Sequence, residues 1–103
     1  MPRLIYTPRA LADLIRLRNF IATHNPNSAA RMAQLIKESA ARLKLHPMLG
    51  VQEGDIPFRD LIIPFGAGGY ILRYRIIIET QTVVVVGIRH SREDIIALSP
   101  DSD

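Results

Sequence analysis

The chain has 103 residues, a formal net charge of +3 at pH 7 and no cysteine. This length suits one domain with a modest core. The lack of cysteine excludes a disulfide framework and favours a cytoplasmic protein, and no apolar run is long enough to span a membrane. All 13 basic residues but only six of the ten acidic ones precede Glu93. We therefore predict a single basic domain over residues 1–98 and a frayed acidic tail over residues 99–103.

The first half of the chain predicts one strand and two helices. Arg3 to Tyr6 is a short strand candidate. Thr7-Pro8 and Asn25-Pro26 each place an N-cap residue before a proline at the first helical position. We therefore predict helices from Pro8 to about His24 and from Pro26 to about Leu45. The connection between them is short, so they should be antiparallel neighbours.

The second half predicts three strands and a last helical turn. One strand is expected over residues 58–63, stopped by Pro64, and a β-hairpin over residues 69–78 and 82–90. A last helical turn should follow over residues 91–98. The order of elements predicts an α+β fold, with a mainly antiparallel four-stranded sheet and a helical hairpin packed on one face.

Loop length sets the register of the hairpin. If Glu79-Thr80-Gln81 forms a three-residue loop, Arg73 lies opposite Gly87 and Arg75 opposite Val85. Because side chains alternate along a strand, one face then carries arginines and apolar residues: Arg73, Arg75, Ile77, Val83, Val85 and Arg89. The face turned to the helices carries Tyr70, Leu72, Tyr74, Ile76, Val84, Val86 and Ile88. The loop contains no Gly or Asn to fix its turn type, and a slip of one residue would turn one strand over.

Short motifs in a fixed order carry a family resemblance. They are Tyr6-Thr7-Pro8-Arg9-Ala10, Asn25-Pro26, Arg59-Asp60-Leu61, the run from Tyr70 to Arg75, and the run from Val83 to Glu93. Their order and spacing resemble the RelE/ParE toxin superfamily, also called plasmid stabilisation proteins, and the ParE branch most. The resemblance implies the toxin of a type II toxin–antitoxin module, with a small ParD-like or RelB-like antitoxin as partner. From the residues themselves we expect no metal and no cofactor, because no His/Asp/Glu cluster has metal-ligand spacing.

The resemblance leaves the target open. ParE-like members inhibit DNA gyrase, whereas RelE-like members cut messenger RNA on the ribosome. RNA cleavage needs an acid, a base and cations for the developing phosphorane charge. Here Ile71 and Ile96 stand where RelE-like nucleases carry Arg and Tyr. A reduced catalytic set of His90, Arg92 and Arg73 is the runner-up, with His90 as a possible base.

Three interpretations therefore remain. The chain is a gyrase-binding inhibitor, which we favour and which is no enzyme of the ordinary kind, or a ribosome-dependent ribonuclease, or a relative that only binds its antitoxin. The apolar and basic face of the hairpin should bind an acidic antitoxin segment, as a helix in a groove or as an added strand. The residues expected to bind antitoxin or target are Arg59, Arg73, Arg75, Ile77, Val83, Val85, Arg89, His90 and Arg92.

Overall fold

The structure, a computed structural model, describes residues 2–92. The elements are β1 (Arg3–Tyr6), α1 (Pro8–Ala22), α2 (Pro26–Arg42), β2 (Arg59–Phe65), β3 (Gly68–Ile77) and β4 (Thr82–His90). A 3₁₀ turn, Ile78–Thr80, joins β3 to β4. The predicted tail, residues 99–103, lies outside the described residues, as does most of the predicted last turn. Ser91 and Arg92, the first two residues of that turn, are helical.

Both helices begin where their caps predict. The Thr7 hydroxyl accepts a hydrogen bond from the Ala10 amide at 3.1 Å, and the Asn25 side chain accepts one from the Ser28 amide, also at 3.1 Å. Each satisfies one of the amides that a helix leaves without a partner at its start. α2 ends earlier than predicted. Its last bonds tighten to 3₁₀ spacing, with Leu43 donating to the Ala40 carbonyl, and the chain then leaves the helix axis.

The four strands form one mixed sheet in the order β1-β4-β3-β2. β4 and β3 are central, and the pairs β4/β3 and β3/β2 are antiparallel as predicted. β1 runs parallel to β4, so the sheet is mixed rather than purely antiparallel. β2 continues past Ile63 to Phe65 although Pro64 was expected to stop it. An edge strand tolerates proline because its outward side needs no amide donor.

The two helices cover one face of the sheet. The core between the layers takes buried side chains from both helices and from β2, β3 and β4. They are Leu14 and Leu17 from α1, Met32 and Ile36 from α2, Leu61 and Ile63 from β2, Leu72 and Tyr74 from β3, and Val83, Val85 and Ile88 from β4. Neither helix of the described region has both the length and the apolarity that crossing a bilayer requires. The opposite face of the sheet carries no helix from residues 2–92.

The predicted hairpin register holds for only half of the hairpin. Arg73 pairs with Gly87 as predicted, but Tyr74 pairs with Val85, because a β-bulge lies between the two pairs. The connection is one residue longer than expected, and Gln81 takes a left-handed conformation with φ 53°. The bulge absorbs this extra residue.

The register shift at the bulge changes the predicted position of two binding residues, Val83 and Val85. Val83 and Val85 were placed on the exposed face, and this was wrong: they are 3% and 0% exposed and belong to the core. Val84 and Val86, assigned to the core, are only half-buried. Substitution of Val85 by aspartate would therefore bury an unpaired carboxylate and unfold the chain rather than probe a binding surface.

A buried tyrosine fixes the loop between α2 and β2. The Tyr74 hydroxyl donates to the Pro47 carbonyl at 2.6 Å and accepts from the Gly50 amide at 2.8 Å. A side chain at Gly50 would collide with the tyrosine ring, since a Cβ there would lie 2.7 Å from it. Arg59 adds a third tie by donating to the Gly50 carbonyl at 2.7 Å. Together with the β-bridge between Val51 and Asp60, these bonds hold the loop against β2 and β3.

We expect Tyr74→Phe to lower the free energy of unfolding by about 1–3 kcal/mol. The substitution leaves the Gly50 amide and the Pro47 carbonyl without their partner in a largely buried site, and it creates no cavity. Urea unfolding followed by circular dichroism measures the change. Tyr6→Phe is the control, because Tyr6 packs against the same core but its hydroxyl has no hydrogen-bond partner within residues 2–92. Equal effects of the two substitutions would show that the loop is not held by the Tyr74 hydroxyl.

The same residue predicts a loss of stability at alkaline pH. Burial raises the pKa of Tyr74 above its ordinary value of 10.0, although the Gly50 amide and the Arg59 charge partly oppose the shift. The unfolded chain therefore loses this proton at lower pH than the folded chain. The stabilisation is complete below about pH 10 and is lost as pH rises through the folded pKa. Stability curves at pH 8 to 11 should fall less steeply for Tyr74→Phe than for the natural chain.

Candidate functional site

The sheet face that neither α1 nor α2 covers carries the charged residues that the sequence singled out. Cross-strand pairing aligns Val51, Asp60, Arg73 and Gly87 in one row. A second row contains Ile62, Ile71 and Arg89. We call this surface the open face. Arg73 and Arg89 therefore point away from the helices, as predicted.

Asp60 neutralises the centre of the open face. Its carboxylate accepts two hydrogen bonds from Arg73, at 2.8 Å from Nε and 3.0 Å from Nη2. The Arg89 guanidinium lies 3.9 Å from the same carboxylate, and Arg73 also stacks over the Phe58 ring at 5.8 Å. The predicted basic patch of Arg73, Arg75 and Arg89 is therefore on the face where it was expected, and it also contains a carboxylate that was not assigned to it. Arg75 lies on this face as an exposed cation.

Of the runner-up catalytic residues, His90 and Arg92 are neighbours, whereas Arg73 lies apart from them. His90 pairs with Tyr70, whose side chain is buried on the helix-covered side, and the two rings meet edge to face at 5.2 Å. His90 Nδ1 also accepts a hydrogen bond from the Arg92 amide at 3.0 Å. Arg73 points to the opposite side of the sheet. The sheet thus separates the candidate base from the cation that would have to act with it.

The remaining predicted binding residues have varied surroundings. Arg59 donates a hydrogen bond to the Gly50 carbonyl and so holds the α2–β2 loop in place. Ile77 is half-buried and pairs with Thr82 at the turn end of the hairpin. Arg92 is exposed just after β4. Within residues 2–92 no group of three His, Asp or Glu side chains could hold a metal ion.

A depression that the sequence analysis did not foresee lies between α1 and the edge of β4. Its volume is about 350 Å³. It is lined by residues 86–88 of β4 and by five charged residues: Arg9, Asp13, Arg16, Arg73 and Arg89. We call it the arginine groove. β1 pairs with β4 only as far as Val85, so the β4 edge beyond that point is open to α1.

Asp13 is the central residue of the arginine groove. Its carboxylate accepts the Ile88 amide at 3.0 Å, and Arg9 and Arg16 lie 3.8 and 3.6 Å from it. Sequence analysis missed this site. The Arg-Asp-Arg spacing on one face of α1 was visible, but a solvated helix face gives the same pattern. The contact with β4 joins residues 75 positions apart and has no local signature.

Comparison with known proteins finds a toxin family and individual toxins that resemble this chain. Residues 4–95 match the family described as "ParE toxin of type II toxin-antitoxin system, parDE". Toxin RelE3 of Caulobacter vibrioides is 40% identical over 86 residues, which cover 84% of this chain and 90% of that protein. Toxin RelE2 of the same organism is 33% identical over 91 residues, covering 88% and 97%.

One solved structure supports the same fold. It is described as "Chromosomal ParDE TA system from P. aeruginosa", and a chain in it superposes with a TM-score of 0.72. The match covers 87% of this chain and 96% of that chain, at 19% sequence identity. At this identity the likeness concerns the fold alone.

We expect Asp60→Asn to raise the affinity of the chain for polyanions. The change removes the negative charge beside Arg73 and Arg89, so the open face becomes more positive. The salt concentration that elutes the chain from heparin measures this. Asp55→Asn is the matched control, because it removes the same charge from an exposed loop position. Equal elution of the two variants would contradict the assignment. Asp60→Asn should also lower the unfolding free energy by about 1 kcal/mol, since the pair is partly exposed.

Proposed function

Because the chain belongs to the ParE toxin family of type II toxin–antitoxin systems, we propose that it binds and inhibits DNA gyrase. A cognate ParD-like or RelB-like antitoxin neutralises it, and it acts in the cytoplasm, where gyrase works. It inhibits by occupying a surface of its target and not by chemistry. The exposed cations Arg75 and Arg92 are proposed as contacts for antitoxin or target.

One observation supports inhibition by binding over RNA cleavage. His90 lies against Tyr70 on the helix side of the sheet, while Arg73 and Arg89 lie on the open face beside Asp60. Cleavage at a 2′-hydroxyl needs the base within hydrogen-bond reach of the nucleophile and the cations around the same phosphate. A phosphate cannot contact both sides of a sheet at once.

The electrostatics of the open face favour the same conclusion. Arg73 donates to the Asp60 carboxylate from both Nε and Nη2. An RNA phosphate would have to compete with this carboxylate for the guanidinium. A protein surface carries fewer charges per unit length than RNA and can accommodate a mixed patch of Asp60, Arg73 and Ile62 without breaking the pair.

The runner-up is a ribosome-dependent ribonuclease. It is favoured by the names of relatives at 33–40% identity, which are called RelE toxins. In this alternative His90 would be the base, with Arg92 and Arg73 as cations. A relative that only binds its antitoxin is the third possibility.

We expect the purified chain to stop gyrase from supercoiling relaxed plasmid DNA when the two are present at similar concentrations. Agarose gel electrophoresis of the plasmid measures this. His90→Ala should inhibit gyrase as well as the natural chain does, because inhibition by binding needs no general base and the histidine packs against Tyr70. Premixing the chain with its antitoxin should restore supercoiling.

A parallel experiment tests the runner-up. Ribosomes stalled on a defined messenger are incubated with the chain, and primer extension reports cleavage. Our proposal requires intact messenger. Cleavage that disappears in His90→Ala, together with normal gyrase activity, would replace the proposal with the ribonuclease. Failure in both assays would leave the antitoxin-binding relative as the function.

A further inference from the structure

We infer that residues 93–98 continue the helix that begins at Ser91 and dock on the open face of the same chain, with Ile95 in an apolar hollow beside Ser91. Residues 93–98 lie outside the described residues, whereas the surface that they cover belongs to residues 2–92. Docking closes the end of the open face opposite the β3–β4 turn and leaves the end that carries Arg75 open to a partner. It depends neither on the target nor on the antitoxin, and so goes beyond the proposed function.

The apolar hollow lies where β2, β3 and β4 end together, away from the turn. Its volume is about 180 Å³, and it is lined by residues 68–71 of β3, by Ile62 and Pro64 of β2, and by Ser91. Gly69 has no side chain to fill it, and a Cβ there would lie 2.6 Å from the Ile63 carbonyl oxygen. Ile62 beside it is 61% exposed. An apolar side chain that enters the hollow therefore removes apolar surface from water on both sides of the contact.

The chain itself leads to the apolar hollow. Tyr70 pairs with His90 at the end of β4, and the next residue, Ser91, forms part of the wall. The Ser91 Oγ lies 3.5 Å from the point that a Cβ on Gly68 would occupy. Residues 93–98 follow two positions later. A segment tethered to the wall meets the hollow at a high effective concentration, which no separate partner has.

Local signals favour a helix that continues from Ser91. Ser91 and Arg92 are helical. His90 Nδ1 accepts a hydrogen bond from the Arg92 amide at 3.0 Å, as the side chain of an N-cap residue does for the second amide of a helix. The next two residues, Glu93 and Asp94, are acidic, and acids in the first turn interact favourably with the helix dipole. The start of this helix is thus fixed next to the apolar hollow.

The spacing of apolar residues selects the face that docks. In a helix that begins at Ser91, Ile95 and Leu98 lie four and seven positions further on and share the face of Ser91. Side chains four positions apart have Cβ atoms about 5–6 Å apart, so Ile95 comes to lie over the hollow that Ser91 lines. Ile96 falls on another face. A helix this short is marginal alone in water, so packing of its apolar face supplies the stability that it lacks.

Cross-linking tests the docking directly, because the natural chain has no cysteine. In the full chain, Ile62→Cys together with Ile95→Cys should form an intramolecular disulfide in oxidised glutathione, measured as loss of free thiols and a reducible shift on a denaturing gel. The control combines Ile78→Cys with Ile95→Cys, since Ile78 is 75% exposed at the turn end of the hairpin. The first pair should link at least about tenfold faster, because docking raises the effective concentration of its thiols. A control pair that links at the same rate would overturn the docking.

Methyl contacts in the natural full chain give a second measurement, which decides the matter if geometry prevents either disulfide from forming. Nuclear Overhauser effects should connect the Ile95 side chain with those of Ile62 and Ile71. Ile95→Ser should shift the Ile62 and Ile71 methyl resonances and lower the melting temperature, whereas the matched variant Ile96→Ser should do neither. Absence of these contacts, or equal shifts in the two variants, would overturn the docking. Both experiments use this chain alone, so their outcome is independent of gyrase and antitoxin.

Discussion

The β-bulge in the β3–β4 hairpin is the constraint on which the sheet depends. On the turn side of the bulge, Val83 and Val85 point into the core, and on the far side Ile88 does. Without the extra residue, one of these two sets would face solvent, because a shift of one position turns a strand over. The bulge also directs Arg73 and Arg89 to the open face. One irregularity thus determines both the core and the charged surface.

The two faces of the sheet carry different side chains. His90 and Tyr70 pack on the side that the helices cover, and the arginines lie on the other. A catalytic site would need to combine them, whereas a binding protein has no such need. The hydrogen bonds of Tyr74 and Arg59 to the α2–β2 loop also suit a binding protein, since they hold this loop in one conformation. Preorganised surfaces of this kind favour tight association because little order is lost on binding.

Two aspartates set the distribution of positive charge. Asp60 binds Arg73 closely and moderates the centre of the open face, whereas Asp13 holds a backbone amide and only loosely attracts Arg9 and Arg16. Arg73 and Arg89, which Asp60 attracts, also line the arginine groove, so the two aspartates act on one continuous set of arginines. Net charge gives the sign of the partner, but the positions of these two carboxylates decide where a partner can use it.

The sequence by itself determined the helix starts, the number of strands and their order along the chain, the α+β class and the family. These features are local or depend on the order of local motifs: Thr7 and Asn25 cap helices through bonds to residues three positions ahead. Only the tertiary structure decided the hairpin register, the burial of Val83 and Val85, the pairing of Asp60 with Arg73 and the contact of Asp13 with Ile88. Each depends on contacts between different elements, and the register turned on a single added loop residue. Such contacts are fixed by how whole elements pack, which is why composition, spacing and periodicity could not reveal them.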